Sequence, residues 1–419
     1  MRTGDEGSAP PPGEHRRAAG GVSTAGQRRL DKVALRLRDG DGGEQRTTNL
    51  ELFFDLVYVF AVTQLSHLLL HDLSWTGAAK TAFLLLVVWW AWINTTWMVN
   101  WFDPDWVGVR LVLMFCMLAS LGMAIAIPDA FGDRALLFAG SYVTLQLTRD
   151  TFCLVSMRHG ASGRETFIRV TAWAAVAAVP WIVGALLDGE ARTLVWVLAL
   201  TLDYLGPATR YWLPGRGAFD MQEWSIEGGH FAERFQLFII IALGESIVAT
   251  GATASELTID GARAAAVIVA FTGSAALWWL YFDEVAVRSQ RFLQGHEERG
   301  RLGRDAFTYL HIPIVAGIIV AAVGDDLLVG HPREVLSTAA RLCVVGGPVL
   351  YLLGQLGFRY AMIGSVTRKR IAATVAIAVW GVAAQSLSAL ALTAGIVAIL
   401  VVLLLSETRN RLRQDLKLT

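Results

Sequence analysis

Long apolar stretches separated by short polar ones dominate the chain from Asn49 onward. Each stretch holds roughly 17 to 25 residues, the length that an α-helix needs to cross the hydrocarbon core of a bilayer. The pattern predicts an all-α integral membrane protein with about twelve transmembrane helices, over residues 50–71, 77–100, 107–128, 135–157, 168–187, 193–212, 231–253, 263–284, 306–325, 337–358, 371–390 and 393–407. The last two stretches are too long together for one crossing, so we expect a helical hairpin there.

The polar ends and loops predict how the chain is divided and oriented. Residues 1–47 are rich in Gly, Pro and charged residues, which predicts a disordered tail. Lys and Arg concentrate at the two termini and in the loops that follow even-numbered helices. The positive-inside rule then places both tails, 1–47 and 408–419, in the cytoplasm.

The helices also suggest an internal duplication into a first half, 48–212, and a second half, 213–407. The second and eighth helices each contain a Trp-Trp pair, and the third and ninth share a Gly-x-x-x-Ala pattern that begins at Gly122 and Gly317. Because six is an even number, two six-helix halves share one orientation, which predicts a parallel repeat. The alternative is coincidence among helices that are rich in Trp and Gly.

Composition narrows the function classes. The 419 residues are 54% hydrophobic and only 17% charged, with a formal net charge of zero, whereas about 25% of residues are charged in soluble domains. We expect no nucleic-acid partner, since nucleic-acid binding needs a basic field. The three cysteines form no disulfide framework or metal motif, and His67 and His71 lack a third ligand nearby, so we expect neither a metal nor a cofactor.

Polar groups inside the predicted helices are the candidates for function, since a charged side chain there costs about 2.5–3.5 kcal/mol on insertion scales. Glu245 and Ser246 lie deep in the seventh helix, and the repeat aligns them with Thr63 and Gln64 of the first. We predict that these four residues form a site for an ion or solute near the membrane midplane. In the alternative interpretation Glu245 is protonated or hydrogen-bonded and only ties neighbouring helices together.

A second group of polar residues lies where the same two helices begin. Glu51 and Asp55 are four residues apart in the first helix, and His230, Glu233 and Arg234 open the seventh. Acidic groups are favoured near helix N-termini. The group is interpreted either as a cytoplasmic gate or as a structural ion-pair cluster.

Several motifs resemble those of the bacterial low temperature requirement A (LtrA) family. The opening TNLELFFDLVYVFA of residues 48–61 is similar to the start of that family's sequences, and HFAERF at 230–235 with ALGES at 242–246 resembles its second hallmark. The likeness extends over about 48–405. It implies a multi-pass protein of the bacterial plasma membrane linked by name to growth in the cold, and it supplies no substrate or reaction.

Three functions remain open from the sequence. The leading hypothesis is a secondary transporter or permease of an unidentified small solute or ion. The alternative is a non-transporting sensor or scaffold that is involved in low-temperature growth. A membrane-embedded enzyme using His230 and Glu233 is a third hypothesis, although the chain carries no catalytic motif. The expected partners are the lipid bilayer, the solute and further copies of the chain in a homo-oligomer.

Overall fold

The computed structural model describes residues 47–157, 162–218, 228–286 and 303–415, and within these ranges the chain forms α-helices and no β-strand. The α-helices, in chain order, are α1 Asn49–His71, α2 Trp75–Trp101, α3 Val107–Ala126, α4 Ala135–Ser156, α5 Ser162–Ala185, α6 Gly189–Ala208, α7 Gly228–Glu256, α8 Gly261–Leu280, α9 Leu310–Gly330, α10 Thr338–Ile363, α11 Arg368–Ala383 and α12 Ala389–Asp415. Two π-helical segments, Tyr281–Ala286 and Gly303–Tyr309, extend α8 and precede α9. The tail predicted over 1–47 lies almost entirely outside the described residues.

Each of the twelve predicted apolar stretches contains a helix, although the connection expected between residues 390 and 393 lies at 384–388. Nine helices of the described chain are long and apolar enough to cross a membrane. The other three are α4, α6 and α11. Helix α11 has only 16 residues, whereas α4 and α6 bury charged groups such as Asp150 and Asp203, which lower their mean hydropathy. The protein is therefore an all-helical, multi-pass membrane protein, and twelve crossings remain a prediction. Helix α12 continues to Asp415, into the segment that was expected to be a tail.

Local sequence signals set where the helices begin. Thr48 and Glu51 form a capping box at the start of α1, in which each side chain bonds the backbone N–H of the other residue. Asp260 caps α8 by accepting hydrogen bonds from the backbone N–H groups of Ala262 and Arg263, at 3.0 and 2.9 Å. These bonds satisfy N–H groups that a helix leaves without partners in its first turn.

Helix α7 lies at the junction of the two sets of six helices. It packs against α8 and α9 of its own set and against α1 and α2 of the other. The two sets also share a packing order, because α1 contacts α2 and α3 just as α7 contacts α8 and α9, and α3–α4 and α9–α10 are both packed pairs. The residues of α1 and α7 are thereby placed at one interface.

Glycines allow α9 and α10 to pack with their backbones in close contact. A Cβ atom on Gly317 would lie 2.5 Å from the backbone nitrogen of Tyr351, and one on Gly347 would lie 2.5 Å from that of Ala321. No real Cβ atom approaches a backbone atom so closely. Small residues at helix–helix contacts are typical of membrane proteins, where close packing replaces the hydrophobic effect as the driving force.

We expect Gly347→Ala to destabilise the protein by about 1–3 kcal/mol, because the added methyl group forces α9 and α10 apart. Gly346→Ala is the matched control, since a Cβ atom at Gly346 meets nothing within 4 Å. Thermal unfolding of the purified protein in detergent measures both effects. Equal melting temperatures for the two variants would contradict this packing.

We also expect Asp260 to make stability depend on pH in the acid range. The N–H of Arg263, and then the guanidinium of Arg333 at 2.7 Å, lower the pKa of Asp260 from 3.8 to about 2. A lowered pKa in the folded state adds stability at neutral pH, and this contribution is lost as the pH falls from about 4 to about 2. The melting temperature of Asp260→Asn should therefore lie below that of the wild type at neutral pH, and the two should converge near pH 2. A difference that does not change with pH would contradict the role given to Asp260.

Candidate functional site

Glu245 of α7 lies in the interface with α1. Its side chain is only 1% exposed, and its Oε2 atom accepts a short hydrogen bond from the hydroxyl of Thr63. The other carboxylate oxygen, Oε1, is buried and has no hydrogen-bond partner among the described residues. The structure thus brings together two of the four residues predicted to form a midplane site and leaves one carboxylate oxygen of Glu245 available to a ligand or proton.

The other two predicted residues lie elsewhere in the packing. Ser246 follows Glu245 in α7 but points to α8 and α9, where its hydroxyl lies 2.8 Å from Ser274 and donates to Asp325 at 2.5 Å. Gln64 is half-buried and makes no side-chain hydrogen bond within the described chain. Neighbouring helix positions are rotated by about 100°, which explains why Glu245 and Ser246 reach different helices.

His67 continues the polar face of α1 beyond Thr63. It lies four residues, one helical turn, after Thr63. Its imidazole is exposed and lies on the face of α1 from which Thr63 reaches Glu245. Glu245 therefore has polar neighbours on the side that leads to the C-terminal end of α1.

Towards the N-terminal end of α1, four buried residues form what we term the ion-pair cluster: Glu51, Asp55, His230 and Arg234. The imidazole Nε2 of His230 lies 2.7 Å from Oε1 of Glu51, and the guanidinium of Arg234 lies 2.8 Å from Oδ1 of Asp55. Arg234 also donates to the backbone carbonyl of Glu51 at 2.8 Å. All four side chains are at most 1% exposed, so both side-chain contacts are shielded from solvent.

Helix α2 and aromatic side chains enclose the ion-pair cluster. The indole N–H of Trp92 donates to Asp55 at 2.9 Å, and Asn100 lies 3.3 Å from Nδ1 of His230. The guanidinium carbon of Arg234 lies 5.9 Å from the centre of the Trp92 ring and 6.0 Å from that of Phe54, which is within cation–π range. The enclosure is shielded from bulk solvent and largely aromatic, so Asp55 and Arg234 depend on each other for charge compensation.

Glu233 lies apart from these pairs. It is half-buried, and its Oε2 accepts a hydrogen bond from the backbone N–H of Thr47 at 2.9 Å. His230 is directed instead at Glu51 and Asn100. Glu233 and His230 thus contact different residues near the beginning of α1 and the end of α2. Within the described residues, no three His, Cys, Asp or Glu side chains are grouped as a metal site would need.

Two acidic residues that the sequence pattern does not indicate as site residues lie in polar networks: Asp203 is buried and Asp325 is half-buried. Asp325 of α9 accepts the hydrogen bond from Ser246 described above. Asp203 of α6 accepts hydrogen bonds from Tyr142 at 2.7 Å and Trp181 at 2.9 Å. Asp325 is near the C-terminal end of a predicted span, where the sequence favours an exposed charge. Asp203 has no other charged residue within one helical turn, so the sequence does not indicate a polar cluster there.

Comparison with known proteins identifies relatives without an assigned activity. The model of the family described as "Bacterial low temperature requirement A protein (LtrA)" matches residues 46–405. An uncharacterised protein from Rhizobium meliloti (strain 1021) is 38% identical over 322 residues, which cover 76% of this chain and 78% of the relative. No solved structure matches the chain. Both motifs that contribute to the α1–α7 interface lie inside the matched range.

A double-mutant cycle tests the pairing of Asp55 with Arg234. We expect Asp55→Asn and Arg234→Met each to lower the free energy of unfolding by about 3–5 kcal/mol, because each leaves an uncompensated buried charge. The double variant should lose less than the sum of the two, since it leaves neither charge behind.

The pair Asp260–Arg333 is the matched control, because its side chains are 40% and 66% exposed and exposed pairs contribute about 0–1 kcal/mol. Denaturant titration in detergent measures the free energy of unfolding of the wild type and of each variant. Strict additivity for Asp55 and Arg234 would show that the two side chains do not act as a pair.

Proposed function

Since the chain belongs to the bacterial low temperature requirement A family, we propose that it is a secondary transporter in the bacterial plasma membrane, with Glu245 as its ion- or proton-binding group. The observation that carries the proposal is the buried carboxyl of Glu245, which has one oxygen bound to Thr63 and the other without a partner. A carboxylate in the bilayer must pair, bind a cation or take up a proton. No basic side chain of the described chain forms a salt bridge with Glu245, so exchange of a proton or ion is the chemistry that this position supports.

The two ends of the α1–α7 interface differ in a way that suits alternating access. On one side of Glu245, Thr63 and the exposed His67 provide polar groups towards the C-terminal end of α1. On the other side, the ion-pair cluster and its aromatic cover close the interface. Arg234 precedes Glu245 by eleven residues, about 16 Å of helix. We assign the ion-pair cluster the role of a gate that separates Glu245 from the cytoplasm.

The order of contacts supports a parallel repeat. Glu51 meets His230, Asp55 meets Arg234 and Thr63 meets Glu245. Residue numbers rise together on both helices, so α1 and α7 run in the same direction, as equivalent helices of two six-helix halves would. A site between such halves is typical of transporters built from repeats.

The matched glycines add a second, independent line of support for the repeat. A Cβ atom on Gly122 of α3 would meet Ser141 of α4, and one on Gly317 of α9 would meet Gly347 of α10. Gly122 and Gly317 are the positions that begin the Gly-x-x-x-Ala pattern shared by the third and ninth helices. Related contacts at related positions are what a duplicated unit would keep. Both termini are cytoplasmic in this proposal, following the distribution of Lys and Arg.

The alternative, a non-transporting sensor or scaffold, is favoured by one feature of the same contacts. The bonds of Glu245 and Ser246 join α7 to three other helices, which structural ties in a membrane protein also do. Such a protein would move no solute, and its deletion would still impair growth in the cold.

Transport is tested with the full chain in liposomes that contain a pH-sensitive dye. Inorganic cations, amino acids, carboxylates and sugars are added outside in turn. We expect at least one of them to drive a change of internal pH, and we expect Glu245→Gln to abolish it, because the amide cannot exchange a proton.

Glu256→Gln is the matched control, since Glu256 is exposed at the end of the same helix, and this variant should retain full flux. Thermal unfolding confirms that the variants are folded. Wild-type flux in Glu245→Gln, or no flux with any class of solute, would reject the proposal.

A further inference from the structure

A second polar group lies on a different face of α7 from Glu245, and we term it the hydroxyl–carboxylate cluster: Ser246, Ser274 and Asp325. The hydroxyl of Ser246 donates to Oδ2 of Asp325 at 2.5 Å and lies 2.8 Å from the hydroxyl of Ser274. Ser246 and Ser274 are 2% and 6% exposed. Asp325 lies within the apolar segment 306–330, which is long enough to span the membrane.

The charge of this cluster is not balanced by protein groups. Within the described residues, no Lys, Arg or His side chain forms a salt bridge with Asp325. The next residue, Asp326, accepts a hydrogen bond from Thr253 and does not line the cavity described below. Two hydroxyl groups supply at most two hydrogen-bond donors, whereas an ionised carboxylate and two hydroxyl oxygens offer many more lone pairs. The cluster therefore has an excess of oxygen acceptors.

A cavity of about 30 Å³ adjoins the cluster between α8, α9, α10 and α12. This exceeds the 10–15 Å³ or so that a single water molecule needs. Its polar lining residues are Ser274, Asp325 and Thr393, and the remainder of the wall is apolar or glycine. Thr393 donates its hydroxyl proton to the backbone carbonyl of Ala389 at 2.8 Å, so its oxygen keeps lone pairs for another partner.

The chemistry of the lining defines the class of ligand. Oxygen ligands suit hard metal cations, and no soft sulfur or imidazole ligand lines the cavity within the described chain. Asp325 is the single carboxylate in the lining, so a monovalent cation gives a neutral site, which a bilayer favours over a charged one. The volume admits a dehydrated ion about as small as a water molecule.

We propose that Asp325, Ser274 and Thr393 bind a dehydrated sodium ion in this cavity, with Ser246 orienting the carboxylate. The binding of sodium does not depend on the transport function proposed above. Only the role of this sodium as a coupling ion rests on that function. The site is separate from Glu245, because Glu245 is directed at α1 and the cavity lies beyond α7 among α8, α9, α10 and α12.

Thermal unfolding of the full chain in detergent, with no ion gradient, tests the binding. Sodium chloride is exchanged for potassium or choline chloride at constant ionic strength and constant pH. We expect the melting temperature to rise with sodium and to saturate, since a ligand that binds only the folded state stabilises it by mass action. Potassium should have a smaller effect and choline none.

Substitutions then locate the site. Asp325→Asn and Ser274→Ala should each raise the sodium concentration for half-maximal stabilisation at least tenfold, and Ser274→Ala keeps the test valid if Asp325→Asn does not fold. Asp326→Asn is the matched control, because Asp326 is adjacent and acidic but does not line the cavity, and it should retain the sodium response.

Three outcomes would overturn the proposal: no sodium-specific stabilisation of the wild type, an unchanged response in Asp325→Asn or Ser274→Ala, or equal loss in Asp326→Asn. Stabilisation that depends on pH but not on sodium would identify Asp325 as a proton site and also overturn it. Sodium binding without any flux in liposomes would reject transport and leave the sodium site standing. Flux that depends on Glu245, in a protein that binds no sodium, would reject the sodium site and leave the transport function standing.

Discussion

The ion pair between Arg234 and Asp55 sets the relation of α7 to α1. The bilayer provides no water to solvate a lone charge, and an uncompensated buried ion costs several kcal/mol. The two helices can therefore pack only in the register that brings Arg234 to Asp55 and His230 to Glu51. That register continues along the parallel helices and places Thr63 opposite Glu245. The position of Glu245 opposite Thr63 is thus a consequence of the contacts that Asp55 and Glu51 make near the N-terminal end of α1.

Much of the fold follows from the length and spacing of the apolar stretches. All twelve predicted stretches contain a helix because lipid leaves the backbone no other way to satisfy its hydrogen bonds within one segment. Thr48 and Glu51 signal the start of α1 in the sequence, and the structure has a capping box there. The approach of Thr63 to Glu245 agrees with the equivalent positions that the proposed alignment of the two halves gives to these residues.

Which neighbouring helix a polar side chain contacts depends on how its own helix is rotated about its axis. Hydropathy does not define that rotation. Hydropathy places Ser246 beside Glu245, yet one step of about 100° turns it towards α8 and α9. Asp325 looks like an exposed charge at the end of a span, and only the packing of α7 and α8 against α9 places it in a polar network. Where a helix is apolar on every face, the helices packed against it decide whether a single polar residue is exposed or lies in a polar network.

Helix α7 mechanically links the two polar sites. Glu245 and Ser246 are consecutive residues of one helix, so their side chains move together when that helix shifts or rotates. A movement that breaks the contact of Glu245 with Thr63 must also change the contact of Ser246 with Asp325, because a helical turn is too stiff to absorb it. A bound ion can shift such a movement only by the difference in its affinity for the two positions of α7. A cation bound at the site proposed beside Asp325 would supply that difference if Ser246 held the carboxylate in one position of α7 and released it in another.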